Sequence, residues 1–339
     1  MIIKEKKCNY LYAADDNFAK VLGVSIYSLC EKNKDYIDCI YIISQGISKK
    51  NKDNLNVISN QFACKIEFIE MPNFDQILEE KTDIKRYSLS MFSRILIDTL
   101  LPKDLKKIIY LDCDTMVNSE LLDLWEYDLQ NNTIGAVNDY RSIYYQKNLK
   151  ISKSNCYINS GVLLINVELY RQRLYEKKII QIIKQYNGIF EFPDNDAICK
   201  VMQDDMVLLP LKFNVSSVFF MTSIDELKIL RKPNIIDSDD IIEESKEKPS
   251  IIHFTTCFLM DGRPWIKGCN HPLVDEYLKI YKKTPWKKED LLENRKGFKR
   301  SIVKIIPRKI LIHLCGILHA YIKPYFQSWK FKMKERKKN

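Results

Sequence analysis

The strongest constraint on this chain is the rhythm of its first third, where short β-rich apolar runs alternate with helical stretches. Residues 9–13 are an apolar strand, and 18–30 place apolar side chains at Val21, Leu22, Val24, Ile26, Tyr27 and Leu29, a broad helical face. Residues 37–43 are strand-like, Ser48 is positioned to cap a helix through residue 58, and 64–69 are strand-like again. That order predicts an α/β fold with a mostly parallel sheet flanked by helices. The pattern continues with a helix over 90–101 closed by Pro102, a buried strand at 107–111, a strand at 162–165 and a helix over 167–186. The order then loosens. Residues 235–249 are charge-rich and read as a surface excursion, 251–254 is the last strand-like run, and a boundary falls between 285 and 295.

A length of 339 residues with 46% apolar content suffices for one large domain, or one domain and a smaller appendage. With nine glycines, eleven prolines and no 20–50-residue period, the chain is not a solenoid, a propeller or a low-complexity protein. The net charge of +10 is unevenly placed. Residues 295–339 carry fourteen Lys/Arg against Glu335 alone, so the tail holds +13 and residues 1–294 hold −3. Such asymmetry points to an anionic partner for the tail only. The ten cysteines include no C-x-x-C pair and read as buried free thiols of a reducing compartment. The first residues lack the apolar run of a secretory signal, which predicts a cytoplasmic protein.

Ligands of open α/β sheets gather at the carboxyl ends of strands, so acids there deserve weight. Asp-x-Asp occurs three times: Asp112-Cys-Asp114, Asp194-Asn-Asp196 and Asp237-Ser-Asp239. Only the first ends an apolar run, so it projects two carboxylates to one side from a buried strand. A divalent cation relieves their repulsion and bridges to a diphosphate. The alternative is a loop of solvated acids, the reading assigned to Asp237-Ser-Asp239.

Six blocks together are more specific than any one: YAADDN (12–17), FSRI (92–95), YLDCD (110–114), NSGVLLIN (159–166), FPDNDA (192–197), and HF (253–254) followed by RPW (263–265). Their order resembles glycosyltransferase family 8, which includes bacterial lipopolysaccharide glucosyl- and galactosyltransferases and is similar to glycogenin. The resemblance covers roughly residues 9 to 285. It implies a GT-A type, Rossmann-like fold over 1–290, a UDP-hexose donor, Mn2+ or Mg2+, and retention of anomeric configuration.

Carried over by block, Ala13, Ala14, Asp15 and Asn17 correspond to residues around uracil and ribose. Asp15, Asp16 or Asn17 could equally cap the helix beginning near Phe18. Arg94 corresponds to an arginine reaching the donor sugar and diphosphate, with a structural ion pair as the alternative. Cys113 falls within the donor-binding block. His253 corresponds to a third metal ligand beside Asp112 and Asp114, whereas His271, ahead of Pro272, reads as structural. Asn159, Asp194, Asn195 and Asp196 correspond to positions around the transferred sugar. Asparagine at 195 is too poor a nucleophile for double displacement, which favours departure and attack on one face. Asp196 is held open as stabiliser, shielded nucleophile or helix cap. The family's Gly and Lys-Pro-Trp arrive late here, as Gly262 and Arg263-Pro-Trp, and Arg263 offers phosphate a bidentate fork in place of a lysine.

The apolar run 310–322 is too short to span a bilayer. With flanking Lys/Arg and Tyr321, Tyr325, Phe326 and Trp329, the segment 291–339 reads as a basic amphipathic helical tail. Residues 295–339 would lie on an anionic membrane surface, with no nucleic acid partner. The expectation is a metal-dependent hexosyltransferase attached peripherally to the inner face of the membrane, acting on a glycan or glycolipid acceptor. The alternatives are a glycogenin-like or donor-hydrolysing relative, and a non-catalytic UDP-sugar-binding membrane adaptor.

Overall fold

The structure, a computed structural model, describes residues 7–72, 93–152, 154–186, 190–294 and 305–338. A seven-stranded sheet has the order β3-β2-β1-β4-β7-β6-β8. Its strands are β1 (Cys8–Asp15), β2 (Ile37–Gln45), β3 (Ile66–Glu70), β4 (Lys107–Leu111), β6 (Ile134–Asn138), β7 (Ile158–Asn166) and β8 (Met206–Leu208). All pairings are parallel except those of β7, which runs against both neighbours. The sheet is buried on both faces because its strands are apolar at successive positions. Tyr10, Tyr12, Ile40, Ile42, Ile109 and Leu111 enter one core. Leu11, Ala13, Tyr41, Ile43, Ile108 and Tyr110 enter the other.

A second sheet was not foreseen. It joins β5 (Thr115–Val117), β10 (Ile251–His253) and β9 (Val215–Ser216), β5 antiparallel and β9 parallel to β10.

The predicted helices of the first third form as α1 (Ala19–Asn33) and α2 (Lys49–Gln61), the latter capped by Ser48 Oγ accepting from the Asn51 amide at 3.3 Å. Helix α1 is buried along most of its length, and Trp286, itself fully buried, covers it at Gly23. A methyl group at Gly23 would stand 2.9 Å from Trp286 Cε3, with the indole held by its Nε1 donating to Asn51 Oδ1. Gly23→Ala is therefore expected to cost about 1–3 kcal/mol by overpacking, read from urea unfolding.

One expected helix is broken, and the charge-rich excursion gains structure. The helix foreseen over 167–186 is broken into Val167–Gln172 and Tyr175–Tyr186 at Leu174, whose φ is +56°. The charge-rich excursion holds an ordered helix, Asp239–Glu247, capped by Ser238, which buries Ile242. Asp237 and Asp239 are exposed, as expected of solvated acids, and stand at the helix start, where Asp237 accepts from the Tyr140 hydroxyl and Asp239 pairs with Lys228 at 2.9 Å. The helix foreseen over 90–101 lies partly outside the described residues; its end forms as Ile97–Leu100.

The described part of the tail packs onto the domain. Helix α5 (Arg308–Ile317) lies against α4 (Ile224–Arg231), with Gly316 so close that a methyl group would meet Ile229 O at 2.7 Å. A π-helical turn, Leu318–Ile322, leads into α6 (Lys323–Lys338). Leu311, Ile312, Ala320, Gln327 and Phe331 are buried, and Arg308 grips Glu226 with two nitrogens, each at 2.7 Å. The outer face keeps Tyr325, Phe326 and Trp329 at 70%, 55% and 52% exposure. No described helix is long and apolar enough to cross a membrane.

Candidate active site

Strands β1 and β4 are parallel neighbours, so the YAADDN and YLDCD segments end side by side. Cys113 Sγ donates to Ala13 O at 3.0 Å and ties them together. After β4 the chain turns sharply, the Thr115 amide donating to Asp112 O at 3.1 Å, and enters β5. There Thr115 pairs in register with His253, the last residue of β10. This small sheet is what brings an Asp-x-Asp pair and a distant imidazole together.

His253 Nε2 lies 3.1 Å from Asp114 Oδ1 and 3.7 Å from Asp112 Oδ2. One ligand atom from each of Asp112, Asp114 and His253 falls within 4.8 Å of the other two, the only such cluster of His, Cys, Asp or Glu among the described residues. The donor set suits a divalent cation, because two oxygens and one imidazole nitrogen converge at the edge of a cavity. The far side of the ring strengthens the fit. His253 Nδ1 donates to Asn214 Oδ1 at 2.9 Å, since the amide oxygen only accepts, and this turns Nε2 to the acids, whose charge favours a proton there that a bound cation would replace.

Each acid is also held by an arginine. Arg94, buried, donates to Asp112 Oδ1 at 2.6 Å and to Ser160 O at 2.8 Å, and pairs with Asp194 at 3.2 Å. Tyr110 Oη donates to the same Asp112 oxygen at 2.8 Å. Arg263 donates to Asp114 Oδ2 at 3.2 Å, so the delayed RPW segment still reaches the acid pair. Gly262, at φ +128°, allows the turn that presents it. Burial alone would raise the Asp114 pKa, but His253 and Arg263 outweigh it and hold the carboxyl down to about 2. Burial pushes Asp194 up, with Arg94 opposing.

A family model, "Glycosyl transferase family 8", matches residues 9–267. The chain belongs to glycosyltransferase family 8. Among family relatives, General stress protein A of Bacillus subtilis (strain 168) is 26% identical over 289 residues, 84% of this chain and 96% of that protein. The lipopolysaccharide 1,2-glucosyltransferase of Escherichia coli (strain K12) is 23% identical over 312 residues, covering 89% and 88%. The crystal structure of the galactosyltransferase LgtC, with donor and acceptor sugar analogues, superimposes with a TM-score of 0.66 at 23% identity. It covers 83% of this chain and 99% of that one, which gives the family 8 chain a GT-A fold.

The family motifs are not brought to one place in full. Asp15 caps the turn Asp16–Phe18, accepting from the Phe18 amide at 3.0 Å, while Asp16 accepts from the Ser48 amide at 2.8 Å and Asn17 is exposed. Asn159 Oδ1 accepts from Asn214 at 3.0 Å and from the Gly161 amide at 2.9 Å, behind the imidazole. Asn195 is pinned to β7, its Oδ1 accepting from the Ser160 amide at 2.7 Å and its Nδ2 donating to Ile158 O at 2.8 Å.

Asp196 is engaged by groups other than the acid pair. It lies in the first turn of α3 (Pro193–Met202), fully buried, and accepts from the Tyr157 hydroxyl, the Glu191 and Phe192 amides at 3.0 and 3.1 Å, and Gln327 Nε2 at 3.1 Å. Burial pushes its pKa up to about 7. It organises the start of α3 and receives the tail.

Asn214 and Tyr110 were not picked out from sequence. Asn214 supports the metal-facing ring without touching the metal position, and nothing in its spacing from His253 marks it.

His271 is the structural histidine expected. It is buried edge-on to Phe220 and Phe254, its Nδ1 accepting from the Leu273 amide at 3.0 Å. Burial lowers its pKa to about 4, so an unfolded chain binds a proton there that the folded one refuses. Its contribution is complete above pH ~6.5 and falls as pH drops towards 4, by about 2–3 kcal/mol at pH 4.5. Urea unfolding at pH 7 and 4.5 should show that loss, and His271→Gln should flatten it.

Proposed function

We propose that this protein is a retaining hexosyltransferase that moves glucose or galactose from a UDP-sugar to a glycan or glycolipid acceptor in cell-surface polysaccharide synthesis. The observation that carries the reading is the convergence of Asp112, Asp114 and His253, with Asn214 setting the imidazole tautomer, at the carboxyl ends of β1 and β4. Asp112, Asp114 and His253 would hold Mn2+ or Mg2+, which when bound neutralises the diphosphate as it departs. Arg263 would turn from Asp114 to the diphosphate, and Arg94 would hold Asp112 in orientation. Ala13, Ala14, Asp15 and Asn17 would surround the uridine. Asp194 and Asn195 would border the sugar, with Asn159 bracing the site from behind the imidazole, and these fixed polar groups would stabilise charge developing at the anomeric carbon. With Asp196 occupied by four donors and Asn195 an amide, attack and departure on one face of the sugar is the favoured course.

The test is a donor screen with the purified full chain, following UDP release and sugar transfer with and without metal. Metal-dependent release from one UDP-hexose supports the reading. UDP binding with no donor consumed, whatever acceptor is offered, would replace it with a non-catalytic binder, and sugar accumulating on the protein itself with a self-glycosylating enzyme.

A cytoplasmic enzyme attached to the inner face of the membrane is part of the same proposal. It is supported by the outward Tyr325, Phe326 and Trp329 beside Lys323 and Lys330 on α6. Because α6 also packs inward, replacing these three aromatics by serine tests it more cleanly than truncation. Pelleting with phosphatidylserine vesicles should fall several-fold while thermal stability holds, and unchanged pelleting would refute the attachment.

A further inference from the structure

A cavity of about 1210 Å3 opens beside the acid pair, with Arg263 and Trp265 on one side and residues of the tail on the other. Its wall carries the cations Arg141, Arg231 and Lys323 and the half-buried, neutral His319, while the acids Asp290 and Glu293 also line the cavity. Arg141 is accounted for, since it pairs with Asp139 and lies over the Phe192 ring at 4.3 Å. Arg231 is not. Its Nε is buried without a hydrogen-bond partner, and its side chain makes no ion pair with any described residue. Leaving a guanidinium this desolvated costs stability, and Asp139, already held by Arg141, offsets it only in part.

The same wall is connected to the metal-facing histidine. Asn214 links His253 to Asn159, and Asn159 Nδ2 donates to Asp139 Oδ1 at 3.2 Å, the acid that holds Arg141. A charge arriving at this wall would therefore stand on a scaffold continuous with the catalytic side.

We infer that the cavity receives an acceptor carrying a phosphate group, bound by Arg231 with Lys323 contributing from the tail, so that the acceptor is chosen by its charge. This rests on the transferase reading and adds the chemical class of the acceptor. Arginine suits the task because its planar fork matches phosphate oxygens, and a desolvated guanidinium gains more from an anion than a solvated one. Burial, followed by the neighbouring Arg141, pulls Arg231 down to about 10, the direction expected of a cation awaiting its counter-charge. The phosphate could belong to a sugar of the acceptor glycan or to a lipid that carries the glycan; both present the same oxygens.

The full chain is first titrated with UDP and Mg2+, which reads the donor site separately and then blocks it. Glucose 6-phosphate, octyl phosphate, glucose and octyl glucoside are then titrated calorimetrically. At least one phosphate probe should bind roughly tenfold or more tighter than its neutral counterpart. Preference for glucose 6-phosphate assigns the group to a sugar, and preference for octyl phosphate to a lipid. Arg231→Gln should abolish the preference, leave UDP binding intact and keep or raise the unfolding temperature, while Arg231→Lys restores part of the binding. Phosphate binding no tighter than that of the neutral probes, phosphate binding unchanged in Arg231→Gln, or a lowered unfolding temperature in that variant would overturn the inference. A failure of UDP to bind would instead count against the transferase reading.

Discussion

Asp114→Ala is expected to reduce metal-supported UDP release by roughly a thousandfold, the loss associated with removing a preorganised group from a site where charge develops. The acid sits at the meeting point of His253 Nε2 and Arg263, at 3.1 and 3.2 Å, and its removal takes away a ligand while leaving those two groups facing each other. The folded chain should persist, since Asp114 belongs to neither apolar core. Two measurements check this. The first is the initial rate of UDP release over a series of metal concentrations. The second is the rise in unfolding temperature that a bound metal gives the wild type, which should vanish in the variant. Release within tenfold of wild type would remove Asp114 from the metal site.

Gly161→Ala should do comparable damage with one methyl group. A Cβ at this position would fall on the His253 ring, 2.9 Å from Nδ1, and 2.8 Å from Asp112 Oδ2. Neither neighbour is free to yield. The ring is tied to Asn214, and Asp112 to Arg94 and Tyr110. The constraint is space alone, because β7 must pass directly behind the acid pair, its Gly161 carbonyl accepting from the Asp112 amide at 2.8 Å. Metal affinity should fall by roughly 10–100-fold, as it does when supporting contacts are lost, with about 1–3 kcal/mol of destabilisation. Metal titration beside urea unfolding separates the two effects, and wild-type metal affinity in this variant would contradict the geometry.

The parallel half of the sheet was legible because its strands are apolar at successive positions and its helices carry a wide apolar face. The acid pair was legible because Asp112 and Asp114 directly follow such a strand. Of the second sheet only β10 was legible, as the apolar run 251–254; β5 and β9, of three and two residues, are too short for any period to show. The segment 194–196 was misjudged in part for a geometric reason. Successive residues of a helix start turn by about 100°, so adjacent polar side chains cannot all face one site. Asp194 meets Arg94, while Asp196 points to Tyr157 and the tail. The tail was read correctly as amphipathic, but composition does not tell which apolar face meets protein. Gly316 and Phe331 settle that only through contacts made in three dimensions.

The bond from Gln327 to Asp196 gives the carboxyl-terminal helix a second meaning. The same α6 that shows aromatics to its surroundings also plugs the underside of α3, whose next residues stand against Arg94 and β7. A shortened protein would expose a neutralisable carboxyl and loosen the floor beneath Asp194 and Asn195. Lifting α6 from its seat would have the same effect in the intact chain, so whatever surface this helix rests on gains leverage over the geometry above it.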